Sequence, residues 1–191
     1  MSGPSHFLLE GIDRVGKDTL IRGIQARLGY HQVFHYQKPL RLDFYAAVSE
    51  AEAPYRYQEA SFRTMFQVLC GVPSAKIICN RSHLGESIYA PLYRGYSGEY
   101  VFDLEHEFNV HRLSHVRIVL LVEDLTASRH FVDDGQSLGG ADDADKRQNH
   151  QDLFRRALDT SSFRDKRIVC VTDQATGKFR SSESILDEVL K

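Results

Sequence analysis

The segment with the clearest chemistry begins at Gly11 and ends at Lys17, where two glycines and a lysine stand at the spacing G-x-x-x-x-G-K. Such glycines let backbone N–H groups converge on one point, and a helix that begins there adds the positive end of its dipole. Together with a lysine ammonium, these groups bind phosphate oxygens, so the pattern predicts a phosphate-binding loop. We assign to this loop Gly11, Arg14, Val15, Gly16, Lys17, Asp18 and Thr19.

One position departs from the usual pattern, because Asp18 stands where a serine or threonine hydroxyl normally contacts Mg²⁺. A carboxylate is a hard oxygen donor that binds Mg²⁺ directly, but it brings negative charge close to the phosphates. At the end of the third predicted strand, where many enzymes with this loop carry a metal-linked acid, the chain has Asn80. We predict that Asp18 is the metal ligand and that the carboxylate has moved from strand to loop.

Arg81 follows Asn80 directly and is a second candidate for phosphate chemistry. If the third strand lies beside the first, Arg81 emerges at the same carboxyl edge of the sheet as Lys17. A guanidinium holds phosphoryl oxygens through two parallel hydrogen bonds as charge develops in transfer. The alternative for Arg81 is a surface salt bridge.

The elements that must position these residues alternate between strand and helix. Short, mostly apolar runs are typical of strands and occupy residues 6–11, 31–36, 75–79, 116–122 and 166–172. Apolar residues three and four positions apart predict helices over residues 17–28, 59–70, 84–94, 99–113, 146–158 and 181–190. This alternation predicts one α/β domain over residues 1–191, with a doubly wound sheet of five parallel strands.

Residues 133–145 show neither the apolar pattern of a strand nor that of a helix, and they contain five aspartates and three glycines. This composition predicts a mobile segment, which is either a solvated surface loop or a lid over about residues 131–147 that closes on a substrate. Arg129, Lys146 and Arg147 flank the segment and are candidate lid cations; Arg129 and Arg147 are assigned to the nucleotide. For each of them alone, a solvated charge is the alternative.

The composition excludes several classes of protein. With 26 acidic and 24 basic residues the net charge is -2, so no global basic field holds nucleic acid non-specifically. No run approaches the ~18 apolar residues of a membrane span, and the N-terminal residues lack the pattern of a secretion signal. We therefore expect a cytoplasmic protein with no membrane partner, whose cysteines, Cys70, Cys79 and Cys170, are reduced.

Two blocks of the sequence resemble the thymidylate-kinase-like nucleotide and nucleoside kinases. Residues 9–17 look like the opening strand and phosphate loop of that group, including a Glu before the first glycine and an Asp inside the loop. Residues 80–82, followed by residues 86–89, are similar to its D-R-x or E-R-S segment and the helix after it. Residues 83–95 are most similar to phage-type members.

The resemblance implies a three-layer P-loop NTPase fold with a lid, and transfer of the γ-phosphoryl group of ATP, with Mg²⁺, to a (deoxy)nucleotide or nucleoside. A pyrimidine such as dTMP or an analogue is the expected acceptor, and a homodimer is expected by analogy. The resemblance implies that four residues act at the transferred group: Lys17, Arg81, Asp13 and Arg14. It also assigns acceptor contacts to Glu10, Asp13, Lys38, Arg63, Arg81, Glu86, Tyr89 and Arg94.

Several of these assignments have a structural alternative. Arg63 could reach a base or a monophosphate, or be a simple exposed charge on its helix. The tyrosines near Arg94 could stack a nucleobase or only pack a helix against the sheet; they are Tyr89, Tyr93, Tyr96 and Tyr100. A monophosphate acceptor is already ionised and needs no base, whereas an alcohol acceptor would benefit from a carboxylate such as Asp13 or Glu10.

Two other functions stay open from the sequence. The R-E-P-G-G segment of bacterial thymidylate kinases is missing, which favours a phage-type kinase that phosphorylates 5-hydroxymethyluracil within DNA. Asp18 and Asn80, which replace metal-linked residues, motivate a non-catalytic protein that binds a nucleoside triphosphate. A DNA kinase would need a continuous basic groove and would lose DNA affinity with salt.

Overall fold

The computed structural model describes residues 3–36, 53–125 and 144–191. Three elements of the sequence predictions lie outside the described residues: Lys38, Arg129 and residues 131–143 of the predicted lid.

The five described strands form one parallel sheet in the order β2-β3-β1-β4-β5. They are β1 (His6–Glu10), β2 (Gln32–His35), β3 (Ile77–Asn80), β4 (Val116–Val122) and β5 (Asp165–Cys170). Every residue of β1, β3 and β4 is buried, because helices cover both faces of the central strands. The register pairs Leu9 with Asn80 and Glu10 with Leu120, so the carboxyl ends of these three strands lie side by side.

Six α-helices connect and cover the strands: α1 (Lys17–Leu28), α2 (Ala53–Gly71), α3 (His83–Tyr93), α4 (Tyr100–Glu107), α5 (Ala144–Thr160) and α6 (Ser182–Leu190). Helix α1 packs against α6, whereas α3 packs against α4 and α5. In α1 the apolar stripe that predicts the helix, Leu20, Ile21 and Ile24, is the buried face. None of the helices in the described ranges is both long and apolar enough to span a bilayer.

The predicted helix over residues 99–113 is interrupted in the structure. Asn109 adopts a left-handed conformation (φ 52°), which ends α4 and starts a short 3₁₀ helix, Val110–Arg112. A single left-handed residue cannot continue a right-handed helix, and asparagine is one of the few side chains that tolerate this conformation. The hydrophobic period continues across the break, which is why the sequence pattern reads as one helix.

A buried carboxylate fixes the helices on one side of the sheet. Glu105 accepts hydrogen bonds from His83 Nε2 (2.6 Å), Ser161 Oγ (2.6 Å) and the backbone N–H of Ser162 (2.5 Å). Burial alone raises the pKa of Glu105, but these hydrogen bonds outweigh it and leave the pKa below its usual value. The cluster ties α3 and α4 to the segment between α5 and β5. All three cysteines are free thiols.

Candidate functional site

The phosphate-binding loop connects β1 to α1 and has three residues in the left-handed region, Gly11 (φ 135°), Arg14 (φ 69°) and Gly16 (φ 85°). A Cβ atom on Gly11 would lie 2.5 Å from the carbonyl oxygen of Leu121, so this position accepts only glycine. Gly16 is the N-cap of α1, and the helix begins at Lys17 as the sequence predicts. The backbone therefore curls into a concave turn that ends on a helix N-terminus, as an anion site requires.

Lys17 lies buried beneath this turn. Its Nζ donates hydrogen bonds to the carbonyl oxygens of Gly11 (2.9 Å) and Ile12 (2.8 Å), and no other described residue accepts from it. A lysine ammonium has three N–H donors, so one remains for an incoming oxygen. Burial and, to a lesser degree, the positive charge of Arg81 lower the pKa of Lys17 to about 8. A bound anion would therefore stabilise the charged form of Lys17, which burial disfavours.

Arg81 leaves the end of β3 beside the loop, as predicted from the position of β3 next to β1. Its backbone is left-handed (φ 69°), and its N–H donates to the carbonyl of Leu9 (2.9 Å). The guanidinium donates to Asp13 Oδ1 at 2.5 Å, so the partner of Arg81 belongs to the phosphate loop itself. The Arg81 side chain keeps 37% exposure and can still reach a ligand.

Asp18 and Asn80 lie in direct contact. The Asn80 amide donates to Asp18 Oδ1 (2.8 Å), and its nitrogen lies 3.2 Å from His35 Nδ1 at the end of β2. Asp18 is exposed in the first turn of α1. Carboxylate oxygens are ligands that Mg²⁺ prefers, so Asp18 fits such an ion, whereas Asn80 presents its amide nitrogen to Asp18. His35 did not stand out in the sequence, because nothing local links it to Asp18.

A first cavity of about 360 Å³ lies on the α1 side of the loop. Its walls are apolar side chains of α1, β4 and α6, together with an aromatic ring and two guanidinium groups. The cavity is lined by Arg14, Val15, Gly16, Thr19, Leu20, Leu121, Val171, Phe179, Arg180, Ser182 and Ile185. Sequence reasoning missed the part that follows β5, although that segment leaves the same carboxyl edge of the sheet. A bridge between Thr172 and Phe179 folds it back toward the loop.

A second, narrow cavity of about 30 Å³ lies on the β3 side of the loop. It gathers five of the predicted acceptor residues and four side chains that the sequence did not single out, Tyr36, Gln58, Phe62 and Phe154. The full lining is Glu10, Gly11, Tyr36, Gln58, Phe62, Arg81, Ser82, Gly85, Glu86, Tyr89, Arg94 and Phe154. Tyr36 stacks on Phe62, with 5.8 Å between ring centroids.

Glu10 and Asp13, the two carboxylates predicted to face the acceptor, have different hydrogen-bond partners. Glu10 accepts hydrogen bonds from the Ser82 backbone N–H (2.9 Å), the Ser82 hydroxyl (2.6 Å) and the Gly85 N–H (3.2 Å). Its carboxylate therefore anchors the start of α3, and Glu10 also lines the second cavity; that it faces an acceptor hydroxyl stays a prediction. Asp13 contacts Arg81 and so keeps its carboxylate between the phosphate loop and the end of β3.

Glu86 is the centre of a second polar cluster in this cavity. It pairs with Arg94 and accepts hydrogen bonds from the hydroxyls of Tyr96 (2.6 Å) and Tyr100 (3.2 Å). These two tyrosines therefore hold Glu86 in place, and only Tyr89 of the tyrosine run lines the cavity. Tyr93 instead lies close to His150 Nε2 (3.1 Å).

Two predicted site cations lie elsewhere than expected. Arg63 pairs with Glu59 and Glu107 and lines neither cavity, because α2 directs it toward the end of α4. Arg147 is buried and pairs with Glu123 at the end of β4, with Nη2 3.5 Å from the carbonyl oxygen of Asp13. Its guanidinium therefore lies beside the phosphate loop, and its contact with a nucleotide stays a prediction, whereas Lys146 is exposed.

Two solved structures share the overall fold. YorR protein from Bacillus subtilis, solved in complex with phosphorylated GDP, has a TM-score of 0.61 at 16% identity, over 96% of this chain and 92% of that one. Thymidylate kinase from Candida albicans has a TM-score of 0.59 at 14% identity, over 98% of this chain and 90% of that one. The predicted α/β fold with five parallel strands is thereby confirmed. No protein-family model and no curated protein matches the sequence.

Proposed function

We propose that this protein is a kinase that transfers the terminal phosphoryl group of ATP to a nucleotide or nucleoside, with a pyrimidine compound such as dTMP as acceptor. The observation that carries this proposal is the phosphate loop between two cavities. Gly16 borders the first cavity and Gly11 the second. Lys17, buried beneath the loop, and Arg81, which lines the second cavity, supply positive charge to a group that passes from one side to the other.

The first cavity suits the donor nucleotide. Its volume of about 360 Å³ is within the range of small-molecule sites, and its walls combine apolar side chains with Phe179 and Arg180. Phe179 is 46% exposed, and an exposed ring beside a guanidinium offers stacking surfaces to a nucleobase. Arg14 lines the cavity where the loop turns toward the phosphates.

The second cavity suits the acceptor. Gln58 is 3% exposed, and it lines this cavity. An amide both donates and accepts, so it can read the polar edge of a pyrimidine, while Phe62 and Tyr89 cover its faces. The free space of about 30 Å³ holds a water and not a base. Binding of a base therefore requires side chains that line the cavity to move.

The chemistry needs positioning and positive charge more than a protein nucleophile. Lys17 and Arg81 hold the transferred group, and Asp13 orients Arg81. An alcohol acceptor would also need Asp13 as its base, whereas a monophosphate would not. Mg²⁺ held by Asp18 would neutralise phosphate charge when bound. Lys38 as an acceptor contact, Arg129 as a lid cation, the lid itself, the homodimer and the cytoplasmic location remain predictions.

The experiment that tests this function offers the protein γ-labelled ATP, Mg²⁺ and a panel of acceptors, and then locates the label. The panel contains dTMP, dUMP, dCMP, the three matching nucleosides, and duplex DNA with 5-hydroxymethyluracil. We expect label on a monophosphate or a nucleoside, and none with Lys17→Ala. Lys191→Ala, an exposed lysine far from the loop in sequence, is the matched control.

The other outcomes contradict the proposal in distinct ways. Label in the DNA alone would identify the phage-type DNA kinase instead. ATP binding without transfer to any acceptor would identify a non-catalytic protein that binds nucleoside triphosphates.

A further inference from the structure

Glu86 is a buried carboxylate in the wall of the second cavity, on the first turn of α3. Its side chain is 1% exposed, and its Oε2 forms an ion pair with Arg94, the residue that follows α3. Its Oε1 accepts hydrogen bonds from the hydroxyls of Tyr96 (2.6 Å) and Tyr100 (3.2 Å). All three partners act as donors, so these contacts fit the ionised carboxylate.

Aromatic packing fixes the two hydroxyls that donate to Glu86. The ring of Tyr55 meets the rings of Tyr96 and Tyr100 edge-on, with 5.7 and 4.9 Å between ring centroids. Edge-to-face contact is a favourable arrangement of aromatic rings. Burial raises the pKa of Tyr100, so its hydroxyl keeps its proton and stays a donor near neutral pH. The packing of α2 against α4 therefore helps to fix where the negative charge lies.

This carboxylate compensates the positive charge of Arg94 inside the cavity. The charged side chains among the described residues that line the cavity are two carboxylates and two guanidinium groups, Glu10, Glu86, Arg81 and Arg94. Arg81 is paired in turn with Asp13. A phosphate monoester carries a charge of about −1.5 to −2 at pH 7. A phosphate placed against Arg94 would lie close to the Glu86 carboxylate, where burial screens the repulsion between two anions less than water does.

An uncharged acceptor meets no such repulsion. A carboxylate has about four acceptor positions, and the described donors occupy three of those of Glu86. The remaining position can accept from an O–H or N–H group of a ligand. A nucleoside carries such donors on its sugar and its base, whereas a monophosphate has an anion in place of one hydroxyl. Glu86 therefore attracts the first kind of acceptor and repels the second.

We infer that Glu86 is a specificity-determining residue, which makes the second cavity select a nucleoside over the matching monophosphate. The inference narrows the proposed function and rests on it for the place of the acceptor in this cavity. The acceptor oxygen is then a hydroxyl. That oxygen bonds to the γ-phosphorus of ATP as the bond between this phosphorus and ADP breaks, and the hydroxyl proton passes to Asp13.

Equilibrium binding tests this selection without any need for phosphoryl transfer. Isothermal titration calorimetry measures the affinity of the full-length protein for two matched pairs, thymidine with dTMP and deoxycytidine with dCMP. Mg²⁺ and a non-hydrolysable ATP analogue are present throughout. We expect the wild type to bind a nucleoside at least about tenfold more tightly than the matching monophosphate. Because this arm uses no variant, it does not depend on whether a variant folds.

Variants then assign the selection to Glu86. Glu86→Gln keeps the size of the side chain and an oxygen for the two tyrosine hydroxyls, but its amide nitrogen cannot accept from Arg94, which is released to a phosphate. The affinity for the monophosphate should rise about tenfold, while that for the nucleoside should not rise. The double variant Glu86→Gln, Arg94→Gln should lose this gain. Glu107→Gln breaks an ion pair with Arg63 outside both cavities and, as the matched control, should change neither affinity.

A merely structural role of Glu86 would lower both affinities together, and that result would overturn the inference. It would also be overturned by a wild type that binds the monophosphate more tightly, or that binds no member of either pair. If the protein transfers phosphate but the ratio of the two affinities does not depend on Glu86, the proposed function stands and this inference fails. If the ratio depends on Glu86 but no acceptor is phosphorylated, the selectivity stands and the proposed function fails.

Discussion

The Asn80 amide donates a hydrogen bond to the Asp18 carboxylate, with 2.8 Å between nitrogen and oxygen, and so joins the end of β3 to the first turn of α1. Each residue departs from the usual chemistry of a phosphate loop, and the contact places the two departures on one site. A carboxylate on the loop and a neutral amide on the strand carry the same total charge as a hydroxyl on the loop and a carboxylate on the strand. This equivalence supports the prediction that the two positions have exchanged roles.

The exchange predicts the behaviour of a double variant. Asp18→Ser alone removes the only carboxylate of the pair, and Asn80→Asp alone sets two like charges in contact. We expect each single variant to lower kcat/KM at least about tenfold, equivalent to about 1.4 kcal/mol. The double variant should recover to within about threefold of the wild type, because it restores one carboxylate and one neutral group. Steady-state kinetics with circular dichroism as a folding control measures this, and a double variant no better than the worse single one refutes it.

The lowered pKa of Lys17 predicts proton uptake on binding. With a pKa of about 8, half of the free protein has a neutral Lys17 at pH 8. A bound triphosphate favours the ammonium, so binding at pH 8 should take up about half a proton, and binding at pH 6.5 almost none. Calorimetry of ATP binding in buffers with different ionisation enthalpies measures the uptake. Lys17→Arg stays charged at both pH values and should show no difference, so equal uptake by the two proteins would contradict the assignment.

The same pKa predicts that the Lys17 ammonium lowers the stability of the folded protein while it supports ATP binding. The pKa is about 8 in the folded protein and 10.5 for an ordinary lysine, so folding disfavours the ammonium. Stability should therefore rise as the pH increases from about 8 to 10.5, where the unfolded chain holds the extra proton. Lys17→Met should raise the free energy of unfolding at pH 7 by on the order of 1 kcal/mol while abolishing ATP binding. Urea denaturation at pH 7 and pH 10 tests this; a less stable Lys17→Met protein at pH 7 would count against it.

The fold follows from local patterns, but the partners of the site residues do not. The Gly16-Lys17 boundary and the apolar stripes of α1 and β4 depend on neighbouring residues, and the sequence alone places them correctly. Arg63 pairs with Glu107, 44 positions away, and Arg147 on α5 pairs with Glu123, 24 positions away and just after β4. Such contacts depend on how distant helices pack, which no local pattern encodes. The partners of Glu10 are equally distant in sequence, because they lie at the start of α3.

Asp13→Asn distinguishes a charge that positions Arg81 from a base that accepts a proton. Asparagine keeps the size and an acceptor oxygen for the Arg81 guanidinium but cannot take up a proton. With a monophosphate acceptor we expect kcat to fall by less than about tenfold, with an unchanged pH profile. With a nucleoside acceptor kcat should fall by about 10²–10⁴ and the acid limb of the profile should disappear. Asp159→Asn, an exposed aspartate on α5, is the control. A small loss with an unchanged profile for a nucleoside would remove Asp13 as the base.

Gly11→Ala tests whether the loop's shape depends on the close approach of β4. The alanine Cβ would lie 2.5 Å from the Leu121 carbonyl oxygen, and that oxygen belongs to a fully buried strand that cannot shift easily. The backbone conformation at this position (φ 135°) also disfavours any side chain. Gly11→Ala should therefore lower the free energy of unfolding by about 2–4 kcal/mol. Gly3→Ala meets no atom within 4 Å and should change it by less than about 0.5 kcal/mol. Chemical denaturation compares the two, and equal stabilities would show that β4 does not set the geometry of the phosphate loop.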